Sequence, residues 1–117
     1  MTNANETVIA DNYVHDTYGG DIGARNCTGS IISGNVCDTT SIHNSISLVT
    51  VTNSLIENNV CLNSGVYGLT LEYLSVGACT GVAVVGNPLS ACSRSGIRVY
   101  ARYSGVDSAD YCIFETI

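Results

Sequence analysis

Residues 30–37 read SIISGNVC, and the same phrase returns as TVIADNYV at 7–14, SLIENNVC at 54–61 and VAVVGNPL at 82–89. The sixth place is an asparagine every time: Asn12, Asn35, Asn59 and Asn87. The steps between them are 23, 24 and 28 residues, which is the period of a solenoid. Three residues before each asparagine stands an aliphatic residue (Ile9, Ile32, Ile56, Val84), and two after it stand Val14, Cys37, Cys61 and Leu89. Both columns are expected to be buried. About nine residues on comes a turn-former (Asp21, Asn44, Gly68, Gly96), followed by runs of alternating apolar character: IGA, SISLV, LTLEYLSV and IRVYA. Each unit therefore carries at least two short strands. A weaker fifth copy, SADYCIFETI, puts Asp110 at the asparagine place and Cys112 in the cysteine column, while Asp107 breaks the aliphatic column.

Units this short, built from β segments, are too small for propeller blades and lack the helix that leucine-rich or ankyrin units need. A coil of parallel strands remains, each turn stacked on the last at about 4.8 Å. Asparagine suits the corner because it tolerates the left-handed backbone region and its amide bonds neighbouring turns. Stacked asparagines also bond one another from coil to coil. On these repeats the chain resembles the right-handed parallel β-helix of the pectate-lyase-like superfamily, which includes polysaccharide lyases, pectinases, epimerases and phage tailspikes. The expectation is an all-β solenoid of about five coils, 23–28 residues each. A polar segment, 1–6, precedes a single β-helix domain over 7–117.

The 117 residues carry a net charge of −6, no lysine, and four arginines, Arg25, Arg94, Arg98 and Arg102. Nucleic acid and anionic membrane surfaces are poor partners for such a chain, because phosphate binding needs clustered cations. No apolar stretch reaches a membrane span, and MTNANET is not a secretory leader. The molecule reads as soluble, with release by lysis, in a virion or from a longer precursor all open. A solenoid of so few units exposes apolar ends unless they are covered, so a longer chain or a homo-oligomer is expected.

The six cysteines admit a disulfide framework, but Cys37, Cys61 and Cys112 share the inward column and read as small stacked hydrophobes. In-register parallel side chains give poor torsion for a disulfide. Cys27, Cys79 and Cys92 fall at other phases. No Cys-x-x-Cys pair exists, and His15 and His43 lie at different phases, so neither a metal nor another cofactor is expected. Unpaired thiols suit folding in a reducing compartment.

In IRVYAR, Ile97, Val99 and Ala101 alternate inward, which turns Arg98, Tyr100 and Arg102 outward. Thr70 and Glu72 occupy the same register one coil below, and Arg25 holds the place of Glu72 in the first coil. The resemblance implies that such a face binds carbohydrate, aromatic rings against sugar rings and arginine against carboxylates. The plain alternative is a surface ion pair between Glu72 and Arg98 or Arg102, worth about 0–1 kcal/mol. Glycoside hydrolysis needs two carboxylates about 5–9.5 Å apart. Asp38 and Glu57 flank the asparagine corner in adjacent coils and, with Glu72, are the candidate catalytic carboxylates, alongside ordinary turn acids such as Asp11 and Asp16. A polysaccharide lyase or a glycoside hydrolase is the enzyme class such residues would serve. The long interval around Gly77–Gly81 reads as a longer turn on one side of the coil. The resulting expectation is a carbohydrate-engaging segment like those of tailspikes and polysaccharide-degrading enzymes, and the alternative is a structural spacer or oligomerising shaft.

Overall fold

The computed structural model describes residues 1–73 and 81–101. Twelve strands run through it: β1 (Val8–Ala10), β2 (Tyr13–Thr17), β3 (Ile22–Thr28), β4 (Ile31–Ser33), β5 (Val36–Thr40), β6 (Ile46–Thr52), β7 (Leu55–Glu57), β8 (Val60–Leu62), β9 (Leu69–Tyr73), β10 (Ala83–Val85), β11 (Leu89–Ser90) and β12 (Ile97–Ala101). They form three parallel sheets of four strands. The first is β1-β4-β7-β10, the second β2-β5-β8-β11 and the third β3-β6-β9-β12. Each coil contributes one strand to each sheet, so the described residues make four turns of a triangular parallel β-solenoid. The fifth repeat, with Asp107, Asp110 and Cys112, lies outside the described residues. Residues 1–6 lie alongside β3, with Thr2 and Asn5 bridged to Arg25 and Thr28.

The repeat phase of the sequence becomes register in space. Ile9, Ile32, Ile56 and Val84 pair across the first sheet, and Val14, Cys37, Cys61 and Leu89 across the second. In the third sheet Ile22, Ile46, Leu69 and Ile97 form one inward column and Ala24, Leu48, Leu71 and Val99 the next. Because side chains alternate across a strand, these columns converge on a single axial core whose middle members are fully buried. Each buried aliphatic side chain contributes about 1.5–3 kcal/mol by leaving water. Truncating Ile56 to alanine in this packing would cost about 2–5 kcal/mol. Cys27 also belongs to the core, paired in register with Val51; the repeat phase missed it because the left-handed Asn26 before it breaks the in-out alternation of β3. Cys27, Cys37, Cys61 and Cys92 are free thiols. The hydrogen bond between the Cys37 and Cys61 sulfurs, and then burial, push the Cys61 thiol well above its ordinary value, so this stack is inert filling rather than a nucleophile.

The asparagines form the expected ladder. The Asn12 backbone N–H and Nδ2 both donate to Asn35 Oδ1, at 3.0 and 2.9 Å. Asn35 does the same to Asn59 Oδ1, at 3.1 and 2.9 Å, and Asn59 to Asn87 Oδ1, both at 2.9 Å. The Nδ2 groups of Asn35, Asn59 and Asn87 also donate down to the carbonyls of Ile9, Ile32 and Ile56. Asn35 and Asn59 are fully buried with these bonds made.

The left-handed backbone lies one place earlier than expected. Asp11, Gly34, Asn58 and Gly86 carry φ near +60°, not the ladder asparagines. The asparagine amide needs its side chain aimed inward, and the residue before it makes the corner. Three further columns behave alike: Glu6, Gly29, Asn53 and Gly81; Asp16, Thr39, Asn63 and Ala91; and Asn3, Asn26 and Thr50. A Cβ at Gly34 would press on Asp11 Oδ1, the free end of an exposed side chain that would have to swing aside, so glycine suits both the φ and the space here.

Candidate functional site

The third sheet presents two outward columns. Gly23, Ser47, Thr70 and Arg98 stand in register, and beside them Arg25, Val49, Glu72 and Tyr100. The expected alignment of Arg25 with Glu72 and Tyr100 is thus the observed one, through Val49. Arg25 and Arg98 are exposed. Arg102 lies outside the described residues, as does most of the long interval before Gly81.

Above the corner that leads into this sheet, the Arg98 guanidinium sits 5.2 Å from the centre of the Tyr67 ring. Its Nη1 donates to the Tyr67 hydroxyl at 3.3 Å. A hydrogen bond from Arg94 and the charges of both arginines hold the Tyr67 phenol below its ordinary pKa. The ring is positioned from below: Asn44 Oδ1 accepts from the Tyr67 backbone N–H at 3.1 Å, and Asn44 Nδ2 donates to Thr70 Oγ1 at 3.3 Å. Thr70 Oγ1 donates to Ser47 Oγ at 3.4 Å. Thr70 points outward by register yet is buried, so it joins the sheet to the corner rather than meeting solvent.

Tyr67 and Arg94 were not singled out from the sequence. The signal that would have found them is spacing: Arg94 follows Tyr67 by 27 residues, close to the last repeat step. The corner itself obscured it. Ile46 pairs with Ile22 and Leu69, so Ser45, not Asn44, is the structural counterpart of Asp21, Gly68 and Gly96. The second coil holds one extra residue there.

The three candidate carboxylates are not brought together. Glu72 lies on the third sheet, Asp38 on the second beside His15 and Leu62, and Glu57 at the end of β7 on the first, beside Ser33 and Val85. Asp38 and Glu57 flank the same corner, but the turn at the corner points them from different faces. Asp38 accepts from Asn63 Nδ2 and from Thr39 Oγ1, both at 3.0 Å. Those two bonds, that of Asn63 first, hold its carboxyl below the usual range. Asp21 differs: burial raises its pKa although Thr17 Oγ1 donates to it at 2.6 Å. Among the described residues no group of three His, Cys, Asp or Glu side chains is placed to hold a metal ion. No helix of the described residues is long and apolar enough to cross a membrane.

No family model matches the sequence, and no curated protein matches it significantly. Among solved structures, a mutant of the periplasmic alginate epimerase AlgG superposes with a TM-score of 0.60 at 16% identity. The match covers 81% of this chain and 28% of the epimerase chain, so this chain spans under a third of that protein's length. Its three parallel sheets, its stacked core and this likeness together identify the fold as a right-handed parallel β-helix.

Proposed function

We propose that this β-helix engages an acidic polysaccharide through the outer face of its third sheet, as a binding segment of the kind found in phage tailspikes and polysaccharide-degrading enzymes. The observation that carries the reading is the Tyr67 ring held against Arg98, with Arg94 bonding its hydroxyl. An aromatic face and two guanidinium groups at one corner of an otherwise acidic molecule make a local site for a sugar ring bearing an anion. Arg25 stands on the same sheet in the first coil, in the register that Tyr100 holds in the fourth. The epimerase named by the structural comparison acts, by its name, on a polysaccharide, which supports the same direction.

Binding is favoured over turnover because Glu72 alone of the three carboxylates shares this face. If the chain is a lyase or a glycoside hydrolase, Glu72 is its acid or base, and Glu72→Gln abolishes turnover of acidic polysaccharide while leaving binding in place. The test of binding is calorimetric titration with acidic and neutral oligosaccharides. Acidic ones bind, and Arg98→Ala weakens them by about fivefold to tenfold, the scale of an exposed charge contact. If no glycan binds and the chain forms a defined oligomer, the molecule is a structural spacer or shaft.

A further inference from the structure

The first sheet turns a different surface outward. Strand alternation sets Ile9, Ile32, Ile56 and Val84 inward and leaves Val8, Ile31, Leu55 and Ala83 facing out, paired in register from coil to coil. They make one aliphatic line along the solenoid axis. Val8 is 61% exposed and Ile31 38%, while Leu55 and Ala83 are half-buried. The matching column of the third sheet runs Gly23, Ser47, Thr70 and Arg98, so an aliphatic line belongs to this face and is not a demand of strand geometry.

Beside the line runs a groove of about 510 Å³, walled by Gly29, Asn53 and Gly81 of the preceding corner and by Ile31, Leu55 and Ala83. It spans the second, third and fourth coils and stops short of the first, where Glu6 Cγ lies 3.4 Å from the place a Gly29 Cβ would take. Gly29 and Gly81 answer to their own positive φ. What calls for a cover is the exposed aliphatic line. Among the described residues no charged side chain lines the groove, in a molecule with a net charge of −6.

The line and the groove are complementary to each other, end for end. Val8 projects at the first coil, beyond the groove, and the groove is open at Ala83 and Gly81 in the fourth. A second copy turned about a twofold axis parallel to the strands sets its fourth coil against this first coil and its third against this second. Val8 then lies over the copy's Ala83, and Ile31 over its Leu55. Charge fits the same operation. Glu6, Asp11 and Glu57, the acids of this face and its corners, come opposite Gly81, Gly86 and Ser33 of the copy, so no carboxylate meets another. An anionic membrane has nothing to hold here, because Arg25, Arg94 and Arg98 all belong to the third sheet or its corner.

We propose that the first sheet is the self-association face of this chain: two copies pack their aliphatic lines together about that twofold axis, first coil against fourth. The contact is isologous and closes at two copies. The third sheet takes no part in it, so a dimer keeps both Tyr67 corners open, and the proposal stands apart from the glycan reading.

The experiment is sedimentation velocity on the 117-residue chain from the low micromolar to the hundred-micromolar range. The chain forms a concentration-dependent dimer. Leu55→Glu, which buries two unpaired charges in the seam, raises the dissociation constant about a hundredfold, and Val8→Asp raises it about tenfold. Adding Ala83→Arg to Val8→Asp restores the dimer, since the two positions meet across the seam, and Val60→Glu on the second sheet leaves it unchanged. Melting temperatures equal to the parent's verify that the variants fold; where Leu55→Glu fails that check, the exposed Val8 and its rescue decide. A parent chain that stays monomeric throughout, a dimer that survives both charged variants, or one that Ala83→Arg fails to restore overturns the proposal. Species that grow without limit place the contact at the coil ends and overturn it as well.

Discussion

At the corner of Asn12, Asn35, Asn59 and Asn87 every coil uses the same residue and the two inner coils the same bonds, whereas at the corner ahead of β3, β6, β9 and β12 each coil improvises. There, Thr17 bonds Asp21 in the first coil, Thr40 bonds the His43 carbonyl and the Gly65 N–H in the second and third, and Ser45 meets Ser64 at 2.5 Å. Both corners satisfy buried polar groups, the Asp21 Oδ2 atom ahead of β3 excepted. The difference is in what is left over. The inner asparagines Asn35 and Asn59 turn their side-chain bonds to the neighbouring coils, and the other corner leaves Tyr67, Arg94 and His43 at the surface. Regularity marks where the fold is held, and departure from it marks the corner proposed above as the binding site.

Asn59→Ala is the strongest way to break this contrast. It removes the acceptor of two Asn35 donors and the donor to the Ile32 carbonyl, leaving buried groups without partners. The expected loss is on the order of 3–5 kcal/mol in denaturant unfolding. Asn12→Ala, at the exposed end of the ladder, costs no more than about 1 kcal/mol. Equal effects at the two positions would mean that the ladder adds nothing beyond local turns. At the irregular corner the effect is smaller. Ser45→Ala strands the buried Ser64 hydroxyl and costs about 1–2 kcal/mol; the double variant with Ser64→Ala recovers part of that, since both partners are then gone. Additive losses would show that the two hydroxyls do not act as a pair.

The smallest effect sharpens the functional side. In an alkaline absorbance titration the Tyr67 phenol ionises early, below its ordinary range. That early phase vanishes in Tyr67→Phe and moves upward in Arg94→Ala, because the arginines favour the phenolate. The sign matters for stability. A phenol whose folded pKa is depressed favours the fold fully only above its ordinary pKa near 10, and the contribution is gone at neutral pH. Arg94→Ala therefore leaves neutral-pH stability unchanged while altering ligand affinity. A variant that lost both together would make Arg94 a structural residue.

The solenoid was legible because its two inward columns and its asparagine are locked to one period, and burial selects residue type at those places. The left-handed column before the ladder was present in the sequence but passed over: Asp11, Gly34, Asn58 and Gly86 are all residue types that tolerate positive φ, and the unvarying asparagine beside them took the assignment instead. Strand alternation gave the Arg25, Glu72 and Tyr100 alignment, because within a strand the period of two survives from coil to coil. The same rule could not reach Tyr67, which sits in a turn whose length changes by one residue between coils. Asp38 and Glu57 looked close along the chain, but a sheet boundary between them sends their side chains to different faces.

The ladder bonds have a direction. Backbone bonds between coils run both ways, Asp11 N–H up to the Ser33 carbonyl and Val36 N–H down to that of Asn12, so their dipoles largely cancel. The bonds between ladder amides do not alternate: each oxygen faces the first coil and each of these N–H groups faces the fourth. The three bonds therefore polarise one another in one sense, while the second Nδ2 hydrogens of Asn35, Asn59 and Asn87 point back toward the first coil. The linked oxygens of Asn35, Asn59 and Asn87 all face away from the coil of Arg94 and Arg98, so a buried row that holds the coils together turns none of these negative ends toward the arginines.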